Sequence, residues 1–499
     1  MTSTVRVIDG YDLDAEKERY DFPDVTEGVL ALNRGTAAVA LSAALADSHR
    51  DAALYPAAGL YVMAADGICL DVTGKRNSIL SVESKRPLGR PSVTPRRTTG
   101  RSITAPSVTG PSVTGEEEPA PRALVELLCS LAGRAFGSTT GFEGWLAASG
   151  EEALERGLQL ARVARYGQLK ERLGTEALAR IVAELGLEPA AGGEGFGGGT
   201  GGLETAGFPL YRAASSPAWM AAWRDDPWRC LLPPESSSGE LQGGLDLRPL
   251  RELVERPQGL RAALDSGHVP ADLVAAVVID AAAPDAGYRE TPPEVLARAG
   301  RLRDRGALLV ASELECFCRT GRPFLLEGAG FEPDLVALAV GAGLGALLAR
   351  PAVLERLPPD WRPRLGAIDD TTARRTLAEL RCFLEGTSAV FQGLSYSENA
   401  RLKGVFLRQE LTGLKDRFPQ LLIDVDGAGG LFGLEVRQRR ELVARSARRG
   451  LHLAVVGPEA EVSSLRIVLP ADVLTREIEH LVTLLAQALE DVASGRRGG

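Results

Sequence analysis

Between residues 270 and 345, short apolar runs (Val274 to Ile279, Ala307 to Ala311, Leu335 to Leu338) alternate with a segment of helical spacing, Pro293 to Arg305. Runs that are apolar throughout suit strands covered on both faces, and such strands are parallel and joined by crossover helices. This stretch is therefore expected to form an α/β core. Upstream, the recurrence of Leu and Ala predicts helices over Ala123 to Ala135 and Glu151 to Tyr166, with a further helical stretch around Val29 to Ala46. Gly59 to Asp71 reads as two short strands about an Asp66-Gly67 turn. Downstream, helices are predicted over Arg374 to Leu384, Ser397 to Leu414 and Thr475 to Val492, with strands at Leu421 to Val425 and Gly433 to Val436.

Two stretches break this patterning. From Gly74 to Pro121 the tetrad Pro-Ser-Val-Thr recurs at Pro91, Pro106 and Pro111, arginines cluster, and Glu116 to Glu118 close the segment, a composition that predicts a disordered insert. From Ala190 to Gly202 glycine dominates, which predicts a flexible loop, with order returning near Leu203. The expected organisation is an N-terminal segment and hairpin over 1–73, the insert over 74–121, a large α/β domain over 122–370 containing the 190–202 loop, and a smaller C-terminal domain over 371–499.

The chain has 499 residues and 44% hydrophobic side chains, enough for a large core in two or three domains. A net charge of -9 argues against nucleic acid or an anionic membrane as a principal partner, because both require a basic face. The N-terminus carries no apolar signal core, and the longest apolar stretch, Leu335 to Leu348, is too short and glycine-rich to span a bilayer. A cytoplasmic location without membrane contact is the expectation. The cysteines are scattered as reduced thiols are, and the single close pair, Cys316 and Cys318, has no histidine near it, so no metal site is expected.

Several segments resemble, in order and at compatible spacing over roughly residues 55 to 492, the class III (ornithine- and acetylornithine-type) aminotransferases. They are Asp66-Gly67-Ile-Cys-Leu-Asp71, Ser149-Gly150-Glu151-Glu152-Ala153, Val274 to Asp280 followed by Asp285-Ala-Gly287, and Arg319-Thr320-Gly321-Arg322. Pro333-Asp334-Leu335-Val336, Gly427 to Glu435 and Leu465-Arg466-Ile-Val-Leu-Pro470 complete the set. The resemblance implies fold type I of the pyridoxal-phosphate-dependent transferases. That fold has a mostly parallel central sheet of seven strands flanked by helices, plus a small α+β C-terminal domain. It also implies a dimer, formed with itself or with a related aminotransferase, since such enzymes build their sites from both chains.

The same comparison locates departures. The family's chemistry needs a lysine that forms a Schiff base with the cofactor and shuttles a proton. The register of Pro333-Asp334-Leu335-Val336 puts Val340 there. An acid that holds the pyridine nitrogen protonated is replaced by Ser312, or by Ala311 if the gap before Arg319 falls later, while Glu313 would reach the ring only through a one-residue slip. At the phosphate-binding helix start, Ser149 and Gly150 are kept but Glu151 stands where a small residue is usual. A carboxylate beside phosphate would cost roughly 3 to 4 kcal/mol at an effective dielectric near 20, and the alternative is that Glu151 points to solvent as a favourable first-turn acid. Phe196 and Gly197 match the ring-stacking loop without its histidine. Asp280 keeps a carboxylate near the ring, Arg466 matches an arginine that binds a substrate carboxylate or pairs with glutamate, and Thr371 or Thr372 falls near a phosphate-binding threonine given by the neighbouring subunit. The resemblance thus implies a class III aminotransferase without its catalytic lysine, acting as a scaffold or regulatory partner. The alternatives are an active transaminase with an unconventional base and a protein that binds an amino or keto acid.

Overall fold

The computed structural model describes residues 119–184, 269–283, 293–341, 344–357, 368–387, 393–456 and 460–495, together with Leu250, Thr291 and the backbone of short strands elsewhere. The predicted helix at Val29 to Ala46, most of the 74–121 insert and the 190–202 loop lie outside these residues.

Seven strands form the central sheet: β4 (Glu143–Ala147), β5 (Leu210–Ala213), β6 (Arg229–Leu231), β7 (Ala276–Asp280), β8 (Leu308–Glu313), β9 (Leu335–Gly341) and β10 (Leu344–Ala349). Their order across the sheet is β4-β10-β9-β8-β7-β5-β6, and only β10 runs against the others. Each central strand is apolar throughout because its alternate residues enter two different cores. Val277, Ile279, Leu309, Ala311, Val336, Leu338 and Val340 share one cluster with α1 (Ala120–Ala135) and α4 (Asp370–Glu385). Ala276, Val278, Leu308, Val310, Leu335 and Ala337 share the other with α2 (Gly150–Leu173). The crossover between β7 and β8 is α3 (Pro293–Arg303).

The C-terminal region is a second layer pair. Strands β11 (Leu422–Ala428), β12 (Leu431–Val436), β14 (Ala454–Val456) and β15 (Ser463–Val468) form an antiparallel sheet in the order β11-β12-β15-β14. Its apolar face is buried with α5 (Tyr396–Arg417) and α7 (Thr475–Ala493), around Phe406, Leu411, Phe432, Ile467 and Leu485. The predicted start of α5 at Ser397 moves to Tyr396, because Ser395 caps the helix: its hydroxyl accepts from the Glu398 amide and the Glu398 carboxylate accepts from the Ser395 amide. This unit meets the large one through backbone. The Gly430 amide donates to the Arg319 carbonyl at 2.7 Å, and a Cβ on Gly429 would lie 2.4 Å from the Thr320 Cα. The Arg319-Thr320-Gly321 and Gly427-Ala-Gly-Gly segments are therefore two halves of one close contact.

The hairpin is present as β2 (Tyr61–Ala64) and β3 (Gly67–Asp71), with Ala64 opposite Gly67, so Gly67 belongs to the second strand rather than to the expected turn. β13 (Leu451–His452) adds parallel to β3, so the N-terminal hairpin and the C-terminal region share a sheet. The first helix starts at Ala120, which takes the last two residues assigned to the insert into the helical layer. Among the described residues no helix is long and apolar enough to cross a membrane.

Candidate functional site

The register of the parallel strands brings the predicted site residues to one edge of the sheet. Asp280, the last residue of β7, pairs with Ser312 of β8, which pairs with Ala337 of β9. Both polar side chains are buried, and alternation places them on the α2 face. The N-terminus of α2 is seated on this edge. A Cβ on Gly150 would come within 2.9 Å of the Ala339 Cβ and 3.1 Å of the Leu314 Cγ, and one on Gly345 would lie 2.0 Å from the Ser149 carbonyl oxygen. No larger residue fits at Gly345 without lifting the helix off β10.

The cap is built locally. The Ser149 hydroxyl accepts from the Glu152 amide at 3.1 Å, and the Glu152 carboxylate accepts from the Ala148 amide at 2.8 Å. These bonds satisfy two donors of the helix start and leave the amides of Gly150 and Glu151 leading it. Glu151 is exposed, the solvent-facing alternative of the two raised for it. Ser149→Ala is expected to cost about 1 kcal/mol, read as a lowered urea midpoint with unchanged slope.

Val340, expected from the sequence register at the lysine position, is on the other side of the sheet. Val340 is 0% exposed and belongs to the cluster shared with α1 and α4, beside a bulge between Ala339 and Gly341. Lysines elsewhere in the described residues are engaged or remote. Lys403 is buried and donates to the Thr475 hydroxyl at 2.7 Å, and Lys415 pairs with Asp424 at 2.8 Å. Lys170 is exposed near the far end of α2, about 30 Å from Gly150 at 1.5 Å per residue.

Thr371 and Thr372 lie in the first turn of α4, where the Thr372 amide and hydroxyl both donate to the N-cap carboxylate of Asp369. Asp369 and Asp370 are held below the usual carboxylate range, the first by its bonds to Thr372 and the second by Arg374. Two ionised acids already occupy that helix start. Arg466 of β15 points across to the large unit and pairs with Glu315 at 3.7 Å. Phe196 and Gly197 lie outside the described residues.

Two features of the edge were not foreseen. Glu315, in the turn after β8, ties the C-terminal sheet to the carboxyl edge of the central sheet through Arg466. Glu313 is 0% exposed on the face opposite Ser312; one carboxylate oxygen accepts from the Leu326 amide at 3.0 Å, and the other has no partner among the described residues. Burial pushes its pKa up to about 8. The two-residue alternation after Leu309 and Ala311 was the available signal. Cys316 and Cys318 are buried next to it, and burial raises both thiols well above their usual range, which keeps them protonated and unreactive.

A seven-stranded sheet with one antiparallel strand, a helix N-terminus on its carboxyl edge and a small antiparallel C-terminal unit make up the architecture known as fold type I. Residues 252–489 match the family described as aminotransferase class-III. That match covers just under half of the chain, and over it the chain is similar to the class III aminotransferases. It is 27% identical over 226 residues to acetylornithine aminotransferase 2 of Caulobacter vibrioides, covering 43% of this chain and 52% of that protein. It is 26% identical over 245 residues to the leucine/methionine racemase of Thermococcus litoralis, covering 46% and 53%. The chain thus spans about half the length of the curated relatives it matches. Among solved structures, N-acetylornithine aminotransferase from Stenotrophomonas maltophilia K279a superposes with a TM-score of 0.53 at 18% identity, over 91% of this chain and all of that one. A transaminase from the marine bacterium Virgibacillus gives 0.58 at 15%, over 89% and 94%.

Proposed function

We propose that this chain is a class III aminotransferase homologue that does not carry covalently bound pyridoxal phosphate and acts as a scaffold or regulatory partner. The observation that carries the reading is that Val340, which the sequence register sets where the Schiff-base lysine is expected, is an apolar side chain wholly inside the core. Valine has no amine, and no other lysine of the described residues reaches the carboxyl edge. Ser312, the counterpart of the acid that would hold the pyridine nitrogen protonated, is neutral. These side chains do not fit the cofactor, and no catalytic step is derived through it. What remains at the edge is structural: a capped helix, a buried Asp280–Ser312 pair of positions, and Arg466 bound to Glu315. The proposal includes a cytoplasmic location and a dimer, either of this chain with itself or with a related aminotransferase.

The names of its relatives favour a second reading, an active transaminase whose amine comes from an unconventional position. One experiment separates the two. Full-length protein is incubated with pyridoxal phosphate, dialysed, treated with borohydride and digested for mass spectrometry. The expected result is no retained visible absorbance and no reduced lysine adduct; a stoichiometric adduct on one lysine would establish the second reading instead.

A further inference from the structure

At the opposite edge of the sheet, where β8 and β9 begin, there is a cavity of about 610 Å³, within the range of small-molecule sites. Five arginines converge on it from separate parts of the chain: Arg172, Arg303, Arg305, Arg350 and Arg356. The acids in the lining are Asp304 and Asp334, so the wall holds five positive charges against two negative ones, in a chain of net charge -9. Arg172 and Arg303 lie in the last turns of α2 and α3, where the helix dipole favours cations. That local effect does not account for all five meeting at one hollow.

The nearby carboxylates are largely spent. Asp334 gives one oxygen to the Leu309 amide at 2.8 Å and the other to Arg303 at 3.0 Å. Buried Asp272, behind the wall, accepts from the Leu250 amide at 2.8 Å and is shared between Arg305 at 3.5 Å and Arg172 at 3.8 Å. Nη2 of Arg350 is buried without a hydrogen-bond partner, and its nearest acid, the exposed Glu332, is 3.8 Å away. Arg356 has no ion-pair partner among the described residues. Behind them Arg165 is buried and bonded to the carbonyls of Asp272 and Arg305; burial lowers its pKa to about 10, against the raising effect of Asp272, with Arg172 and Arg356 adding to the lowering.

We propose that this hollow binds a small polyanion carrying two phosphate groups. Two such groups bring about three to four negative charges at neutral pH, against five arginines in the lining whose partners Asp334, Asp272 and Glu332 leave Arg356 without an ion pair among the described residues. Planar guanidinium forks bind phosphate oxygens bidentately, and Arg350 supplies a buried donor already held in place by the Pro333 carbonyl at 2.7 Å and the Phe142 ring. The site lies at the end of α2 remote from Ser149 and Gly150, so its ligand is an effector or structural anion rather than a substrate of the carboxyl edge.

Inorganic pyrophosphate, titrated calorimetrically into the full chain in phosphate-free buffer of low ionic strength, is the probe. Saturable one-to-one binding is expected, with a rise in Tm. Arg172→Ala with Arg356→Ala should weaken it at least tenfold, while the control Arg440→Ala with Arg448→Ala, on exposed positions of α6 (Arg439–Arg448), should leave it unchanged. Should the double variant lose its fold, Arg356→Glu alone, at an exposed position, gives the same test. Absence of saturable binding, full binding by the cavity variant, or equal loss in the control overturns the proposal.

Discussion

Glu313→Gln is expected to stabilise the protein at pH 9 and to do so less at pH 6, by about 2 kcal/mol. Glu313 is completely buried, and burial, outweighing its bonds to the backbone amides of Leu325 and Leu326, raises its pKa to about 8 from a usual 4.5. In the pH window between those values the folded chain holds a proton that the unfolded chain has released. Folding stability therefore falls as pH rises from 4.5 toward 8 and levels off above 8, where the carboxyl is ionised in both states. Glutamine has no such proton. It keeps an oxygen for the Leu326 amide and places an NH2 where the second oxygen finds no partner among the described residues, at a cost of about 1–3 kcal/mol that does not vary with pH. The pH-dependent part is thus isolated by comparing urea unfolding of the two proteins at pH 6 and pH 9. An identical difference at both pH values would mean that Glu313 titrates as an ordinary carboxyl.

How much of this was legible before the fold was known depends on whether the cause is local. The central strands showed themselves because each is covered on both faces, which leaves an unbroken apolar run in the sequence. The antiparallel β10 did not, because Leu344–Ala349 follows β9 after a short glycine-bearing link and the two read as one run. Edge strand β4 carries Glu143 and Gly144 and gave no pattern at all. The Ser149 cap is a contact over three residues and was readable as a helix start. By contrast, the state of Glu313 depends on Leu326 and on the surrounding core, and the cavity arginines lie up to 184 positions apart, from Arg172 to Arg356, so only the topology brings them together. Lysine, aspartate and phosphate-site equivalents were assigned by register alone. Register does not say which way a side chain points, and the opposite placement of Val340 and Ser312 came only from strand alternation in three dimensions.

Val340→Lys is the change with the largest expected effect, and it should fail to restore cofactor chemistry. The side chain is enclosed in the cluster that includes Val336, Leu338, Leu377, Leu380 and Phe383. An ammonium there loses its hydration, and the acid on the same face of neighbouring β8, Glu313, is itself buried with its pKa pushed up to about 8, so the lysine either deprotonates or forces the strand end open; about 4 kcal/mol of stability is the expected loss. Release toward the α2 face would require β9 to slip by one residue, which would turn Ala337 and Leu338 to the wrong cores. Even a displaced lysine would meet Ser312, which cannot hold a protonated ring nitrogen. Urea unfolding and absorbance after incubation with pyridoxal phosphate read the two effects separately. A variant that keeps wild-type stability and forms a borohydride-reducible adduct at position 340 would show that the site is one substitution from an enzyme. A destabilised variant without an adduct would show that the core has closed over the position and that the loss of lysine has been followed by repacking.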